Sequence, residues 1–416
     1  MMEESILVPK KRFKGFEEVW QASNLGNKLN LLKDGTHGTH TNVENGYYLL
    51  SAKNIKKGKI IITENERQIS KSDFKQIHSY FTLEKGDILL TIVGSIGETA
   101  IVNLPINYTF QRSVAYLRPK KDLLNSYLYA NLKSKGLIKQ LLNRQSVSAQ
   151  AGVYLQDLNE LKIVYPLNME EQQKIGEFFK VLDERIANQE RKISKVKALK
   201  EAYLTEMFPQ EGETVPKRRF KGFQEEWEKF SLENIGNTFS GMSGKTKNDF
   251  GHGEAKFVTY VNVFNNPISD EAGLEQVILD DKQTTLKYGD ILFTTSSETP
   301  DEVGMSSVWL FDKPNVYLNS FCFGFRPKIK IDQYFIGFLL RANQFRKQMK
   351  ILSQGISRYN ISKNKVMEIE ILLPSIEEQH KIGKFFKNLD DQTRAEESKL
   401  EKLKKMKEAY LEEMFV

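Results

Sequence analysis

The chain has one cysteine in 416 residues, so no disulfide framework supports it, and a reducing cytoplasm is the expected compartment. That residue, Cys322 in the run NSFCFGF, reads as a buried strand position rather than a nucleophile or redox group. Long apolar runs are missing as well. None approaches the roughly 18 to 20 residues that a bilayer-spanning helix needs, and charged residues make up 28%, so a soluble protein and no membrane partner are expected. The opening MMEESILVPKKRF carries acidic residues where a secretory leader would be basic, and no apolar core follows. Charge of one sign is only slightly in excess. Sixty-one Lys and Arg against 54 Asp and Glu give +7, which is compatible with a polyanionic partner but does not require one.

Catalytic signatures are absent too. An Asn or Asp followed by two prolines and an aromatic would mark an adenine methyltransferase, and Asn265-Asn266-Pro267-Ile268 lacks both the second proline and the aromatic. No phosphate-cradling lysine loop, GxGxxG or acidic-pair-plus-lysine nuclease pattern occurs, and Gly94-Ser95-Ile96-Gly97 resembles a phosphate loop only superficially. His37 and His40 lie three apart in DGTHGTH with no carboxylate or cysteine at zinc spacing, and His78, His252 and His380 are isolated, so no metal site is expected. A non-catalytic chain is the expectation.

What is present is a repeat. VPKKRFKGFEEVW from Val8 returns as VPKRRFKGFQEEW from Val215, and EEQQKIGEFFKVLDERI from Glu170 returns as EEQHKIGKFFKNLDDQT from Glu377. KALKEAYLTEMF from Lys197 likewise returns as KKMKEAYLEEMF from Lys404, so all three blocks share an offset of 207 residues. Between these blocks the halves diverge. Each insert carries short apolar runs broken by Gly, Asn and Asp, which read as strands: Tyr47–Leu50, Ile60–Thr63, Asp87–Val93, Thr99–Val102 and Val114–Leu117 in the first; Phe257–Val261, Asp290–Thr295, Ser307–Leu310 and Cys322–Phe325 in the second. GDILLT at Gly86 and GDILFT at Gly289 mark one strand in both halves, and RPK at Arg118 and Arg326 leads into helical stretches. The expected fold is α+β: mixed α/β domains at 1–168 and 209–375, with long helices at 169–208 and 376–416.

From Glu170 to Met207 the only Gly or Pro is Gly176, and apolar residues recur at 3.5-residue spacing through Leu182, Ile186, Ile193, Val196, Tyr203 and Met207, with Gln189 and Lys200 in polar slots. The second copy repeats this through Leu389, Thr393, Leu400, Leu403, Tyr410 and Met414, with Glu396 and Lys407 polar. One reading packs each helix on its own domain. Nearly 40 residues at ~1.5 Å each make about 57 Å, longer than a small domain is wide, which favours the two helices pairing with each other. Pseudo-two-fold symmetry favours an antiparallel coiled coil, with the RFKGF blocks bracing the helix ends.

The VPxxRFxGFxxxW block, GDIL followed by VGSIGETA, the QGISRYNI stretch and the EEQxKIGxFFxxLD helix start together resemble the specificity subunit of type I restriction-modification systems, over essentially the whole chain. The second copy departs from GSIG, reading SSETPDEVG from Ser296. The resemblance implies two target-recognition domains, each reading half of a split asymmetric sequence in double-stranded DNA. It implies two methyltransferase subunits and restriction/translocase subunits as partners, with S-adenosylmethionine, ATP and Mg on those partners and no cofactor on this chain. Base edges are then read by polar side chains on insert loops, with Lys and Arg on phosphates. The candidates are Thr36, His37, Lys53, Lys56, Lys57, Lys59, Arg67, Ser95, Arg112 and Arg144 in the first insert. In the second they are Lys245, Lys247, Asn262, Ser296, Ser297, Arg346, Arg358 and Tyr359. The aromatic pairs Phe178-Phe179 and Phe385-Phe386 are candidate partner-binding surfaces, the competing reading being that both rings pack under the insert domain. A reading from another class is a coiled-coil scaffold whose two domains bind proteins or glycans.

Overall fold

The computed structural model describes residues 7–104, 107–146 and 151–416, so residues 1–6 of the acidic opening lie outside the described residues. The chain divides into two compact units, Met1–Glu190 with Ser398–Val416, and Arg191–Glu397. These divisions fall inside the two long helices, because each helix contributes apolar side chains to two cores. Ile175, Phe179 and Leu182 of the first helix share a core with Met414 and Phe415, whereas its later Val196, Leu204 and Met207 share another with Ile382, Phe386 and Leu389.

The first unit is built on an antiparallel four-stranded sheet in the order Leu29–Asp34, Val114–Pro119, Ile88–Thr91, Thr99–Ile101. The GDILLT run supplies its central strand, and strand alternation sends successive residues to opposite faces. Ile88 and Leu90 enter the core lined by the helices Asn125–Asn131 and Lys135–Asn143. Leu89 enters a second core with Val114 and Tyr116. The second unit repeats the plan with Gly236–Ser240, Cys322–Pro327, Ile291–Thr294 and Ser306–Val308. Here Ile291 and Phe293 face one core and Leu292 the other. Cys322 is a buried strand residue, and burial pushes its thiol pKa well up.

The repeated GDIL and RPK motifs are two ends of one contact. Arg118 Nε and Nη2 donate to the buried Asp87 carboxylate at 2.7 and 2.9 Å, and Arg326 does the same to Asp290 at 2.7 and 2.6 Å. Two strand expectations change. Of Ile60–Thr63 only Ile60 is in a strand, the short piece Lys59–Ile60. The strand expected at Phe257–Val261 begins at Phe250 and ends at Val258, because the Thr259 side chain accepts from Asn262 N–H and starts the helix Tyr260–Asn265.

The long helices span Met169–Glu206 and Ile376–Glu413, 38 residues each. Within the first unit, Asp183 pairs with Lys407 at 2.5 Å, Glu190 with Lys404 at 3.0 Å, and the Phe178 ring meets Tyr410 at 4.9 Å. Within the second, Asp390 pairs with Lys200 at 2.5 Å, Glu397 with Lys197 at 2.7 Å, and Phe385 meets Tyr203 at 5.0 Å. Numbers rise on one helix as they fall on the other, so the segments run antiparallel in each unit. The polar seam positions are occupied rather than wasted: Lys200 and Lys407 make two of these pairs, and the buried Glu396 accepts from Lys192 at 2.7 Å. The RFKGF blocks brace the helices at both ends. Arg12 donates to the fully buried Glu171 at 2.6 and 2.8 Å, and Arg219 to Glu378 at 2.7 Å twice. The Lys11 and Arg218 N–H groups cap the last turns at Glu413 and Glu206.

Candidate nucleic-acid interface

In both units the GDIL strand runs off its sheet and meets an incoming segment that pairs with it. In the first, Val153 N–H donates to Ile92 C=O at 2.9 Å, and Ser146 N–H donates to Gly152 C=O at 2.9 Å. In the second, Ile361 N–H donates to Thr295 C=O at 2.9 Å, and Ser296-Ser297 pairs antiparallel with Tyr359-Asn360. Gln354 and Asn360 exchange both backbone hydrogen bonds, at 2.9 and 2.8 Å, and Gly355 takes a φ of +148°, available to glycine, so that the chain can turn between them. The turn pushes Ile356 97% into solvent and leaves Arg358 exposed.

A cavity of about 320 Å³ lies beside the first of these pairings, with Asp34, His37, Val93, Arg112 and Tyr154 among its lining. The Gly-rich loop is more ordered than its composition suggests. His37 Nε2 is 2.5 Å from Asp34 Oδ2, and His40 bonds Thr36 Oγ1 at 2.9 Å while its Nδ1 lies 3.5 Å from Asp73. Carboxylates do therefore stand beside both histidines, contrary to the reading of the spacing. Among the described residues, no three His, Cys, Asp or Glu side chains gather as a metal site.

Beside the second pairing a cavity of about 670 Å³ is lined by Tyr260, Phe264, Ser296, Glu298, Glu302 and Arg358, among others. Tyr260 and Phe264 stack at 5.9 Å, and the Tyr260 hydroxyl donates to Ser296 C=O at 2.5 Å. Arg341 fixes this wall by donating to the carbonyls of Val263, Phe264 and Ser306 at 2.8 to 2.9 Å. Burial lowers its pKa to about 9, which still leaves it a cation at neutral pH.

The candidates from the sequence separate accordingly. His37 and Arg112 come together at the first cavity, and Ser296, Ser297 and Arg358 at the second, where Tyr359 supplies the pairing strand. Thr36 orders the adjoining loop. Ser95 is exposed in the turn after the GDIL strand, while Arg67 and Arg144 are half-buried. Lys53, Lys56, Lys57 and Lys59 belong to a separate short hairpin region, with Lys53 on Glu66 and Lys57 on Glu190. Lys247 is exposed, and the largely covered Lys245 is held by Asp280 at 3.0 Å.

Three expectations are corrected by burial. Asn262 is 4% exposed and spends its amide on Asp270 and Asn266, so it builds a turn. Arg346 donates to the carbonyls of Asp301, Val303 and Gly304 and braces that loop from within. The aromatic pairs are packed, not presented: Phe179 stacks on Phe415 at 5.5 Å and Phe386 on Phe208 at 5.7 Å, while Phe178 and Phe385 touch Phe13 and Phe220. Reasoning from sequence missed Tyr260, Phe264, Glu298 and Glu302. The departure SSETPDEVG was the trace of the two glutamates.

A family model described as the type I restriction modification DNA specificity domain matches residues 41–198 and 224–405. The type I restriction enzyme MjaVIII specificity subunit of Methanocaldococcus jannaschii is 24% identical over 403 residues, covering 93% of this chain and 91% of that protein. The type I restriction enzyme EcoBI specificity subunit of Escherichia coli is 29% identical over 162 residues, 38% of this chain and 34% of its own. The crystal structure of a type I restriction-modification system S subunit from M. genitalium superimposes with a TM-score of 0.60 at 17% identity, over 98% of this chain and 99% of that one. At that identity the likeness establishes the fold alone.

Proposed function

The chain belongs to the type I restriction-modification DNA specificity family and recognises DNA sequence for such a system, and from that premise we propose that its two units each read one half of a bipartite, asymmetric site in duplex DNA. The observation that carries this reading is one architecture with two linings. Both units pair an incoming segment with the outrun of the GDIL strand, through Val153 and Ile361, but Asp34, His37, Arg112 and Tyr154 line one cavity, and Tyr260, Glu298, Glu302 and Arg358 the other. A common frame fixes each unit on the duplex, while unlike side chains choose unlike bases.

Two methyltransferase subunits and, for cleavage, restriction/translocase subunits assemble on this chain, and S-adenosylmethionine, ATP and Mg reside on them. The chain contributes recognition and placement, not bond chemistry. Purified alone, it is expected to transfer no methyl group to DNA. The reading is tested by exchanging residues 22–160 for the insert of another member and mapping methylated adenines in a host that supplies the methyltransferase. One half-site should change and the other stay; a change in both would remove the basis for independent units.

A further inference from the structure

The two strands at the second cavity carry opposite charges one step beyond their last paired residues. Ser296 lies opposite Asn360 and Ser297 opposite Tyr359. Continued outward, the register brings Glu298 opposite Arg358, and both line the cavity. Oppositely charged cross-strand neighbours ordinarily pair, yet among the described residues neither side chain has a hydrogen-bonding or ion-pair partner. The neighbouring carboxylate behaves otherwise: Glu302 accepts from Ser297 and Thr299 hydroxyls at 3.2 and 2.9 Å and is committed to shaping the loop. Glu298 and Arg358 are both exposed, the guanidinium standing 6.0 Å over the Phe321 ring. Their backbone is fixed by the Gln354 to Asn360 bonds and by Arg346 beneath the 301–304 turn.

Resting on the reading of the second unit as a DNA reader, we infer that Arg358 and Glu298 together read one G·C base pair in the major groove of its half-site. The carboxylate decides between backbone and base. Next to phosphates an unpaired carboxylate is repelled, and the cation beside it would be wasted neutralising it. On a base edge the carboxylate has a partner, since it accepts from the exocyclic amino group of cytosine. Guanine offers two acceptors, O6 and N7, to a guanidinium fork, and its paired cytosine offers one N4 donor. The pair thus presents two acceptors and a donor, complementary to the donors of Arg358 and the acceptor of Glu298. An A·T pair presents one adenine acceptor beside its amino group and ends in thymine O4 and a methyl, leaving one arm of the guanidinium without a partner on the purine.

The test uses the full chain assembled with its methyltransferase, and maps methylated sites for the parent, Arg358→Ala and Glu298→Ala. The half-site of the second unit is identified independently, as the one that changes when residues 209–375 are exchanged. Both variants should lose discrimination at the same single G·C position of that half-site, by about fivefold to 150-fold, with thermal unfolding unchanged. Relaxation at two different positions, or at an A·T pair, would overturn the inference. So would an Arg358→Ala variant that weakens methylation equally at all sequences with a shallower salt dependence, since that is the mark of a phosphate contact. Failure of the exchange of residues 209–375 to alter either half-site would instead count against the reading on which the inference rests.

Discussion

Two arginines, Arg12 and Arg219, carry more of the fold than their exposed-looking RFKGF setting implies. Each closes on a glutamate at 0% exposure, Glu171 or Glu378, in the first turn of a long helix. Nε and Nη2 together occupy both carboxylate oxygens, and this hydrogen bond is the main reason each guanidinium pKa is raised. Removing one partner from such a pair leaves a buried charge without compensation. Arg219→Ala should therefore destabilise the second unit by about 3–5 kcal/mol. The double change Arg219→Met with Glu378→Leu should cost much less, since no charge is stranded. Urea unfolding with hydrogen exchange resolved to residues 209–397 measures both, and a loss below about 1 kcal/mol in the single variant would contradict the stranded-charge argument.

At the level of elements, the one glycine in each helix start is explained by a neighbouring helix. A Cβ at Gly383 would meet the Asp332 carboxylate and come within 2.7 Å of Phe335 N, and one at Gly176 would meet Ser126, including its backbone carbon at 2.9 Å. These glycines let the long helices touch the first turns of Gln333–Leu339 and Asn125–Asn131. Alanine is the better helix former by about 1 kcal/mol, but here the backbone of a packed helix must shift to admit it. Gly383→Ala should lower the unfolding midpoint, whereas Asn388→Ala, at an exposed position of the same helix, should leave it level or raise it slightly. A Gly383→Ala variant as stable as the parent would mean the contact yields freely. The helices and the GDIL strands were legible because seven-residue apolar spacing and runs such as Ile88-Leu89-Leu90 have no competing explanation. The pairing of Gln21–Asn24 with Lys162–Tyr165, and of Glu228–Ser231 with Glu370–Leu373, was not. Polar segments such as QASN and EKFS lack period, and their partners lie more than a hundred residues away. The same holds for the site. Glu298 and Arg358 acquire a common purpose only through backbone pairing across the intervening fold, whereas Asn262 and Arg346, both spent on internal hydrogen bonds, looked equally polar in the sequence.

For the molecule as a whole, the shared register of the long helices makes a length prediction. One heptad added to each keeps every apolar seam position in phase and adds ~10 Å per helix at ~1.5 Å per residue. Under the bipartite reading, the preferred spacer between unchanged half-sites should grow by about three base pairs at ~3.4 Å each, with weaker binding because the added pairs also rotate the second half-site by about a third of a turn. Methylated-site maps of parent and insertion variant compare directly, and an unchanged spacer at full activity would remove the helices as the ruler. The discontinuity of the first unit has a different kind of outcome, one of timing. Arg191–Glu397 is contiguous, but the first unit needs Ser398–Val416, whose Met414 and Phe415 sit in its core against Phe179 and Leu182. On the ribosome, the unit begun first is thus finished last. Its apolar surface waits open through the synthesis of the entire second unit, and a stop codon at Ser398 would damage the unit that was begun first.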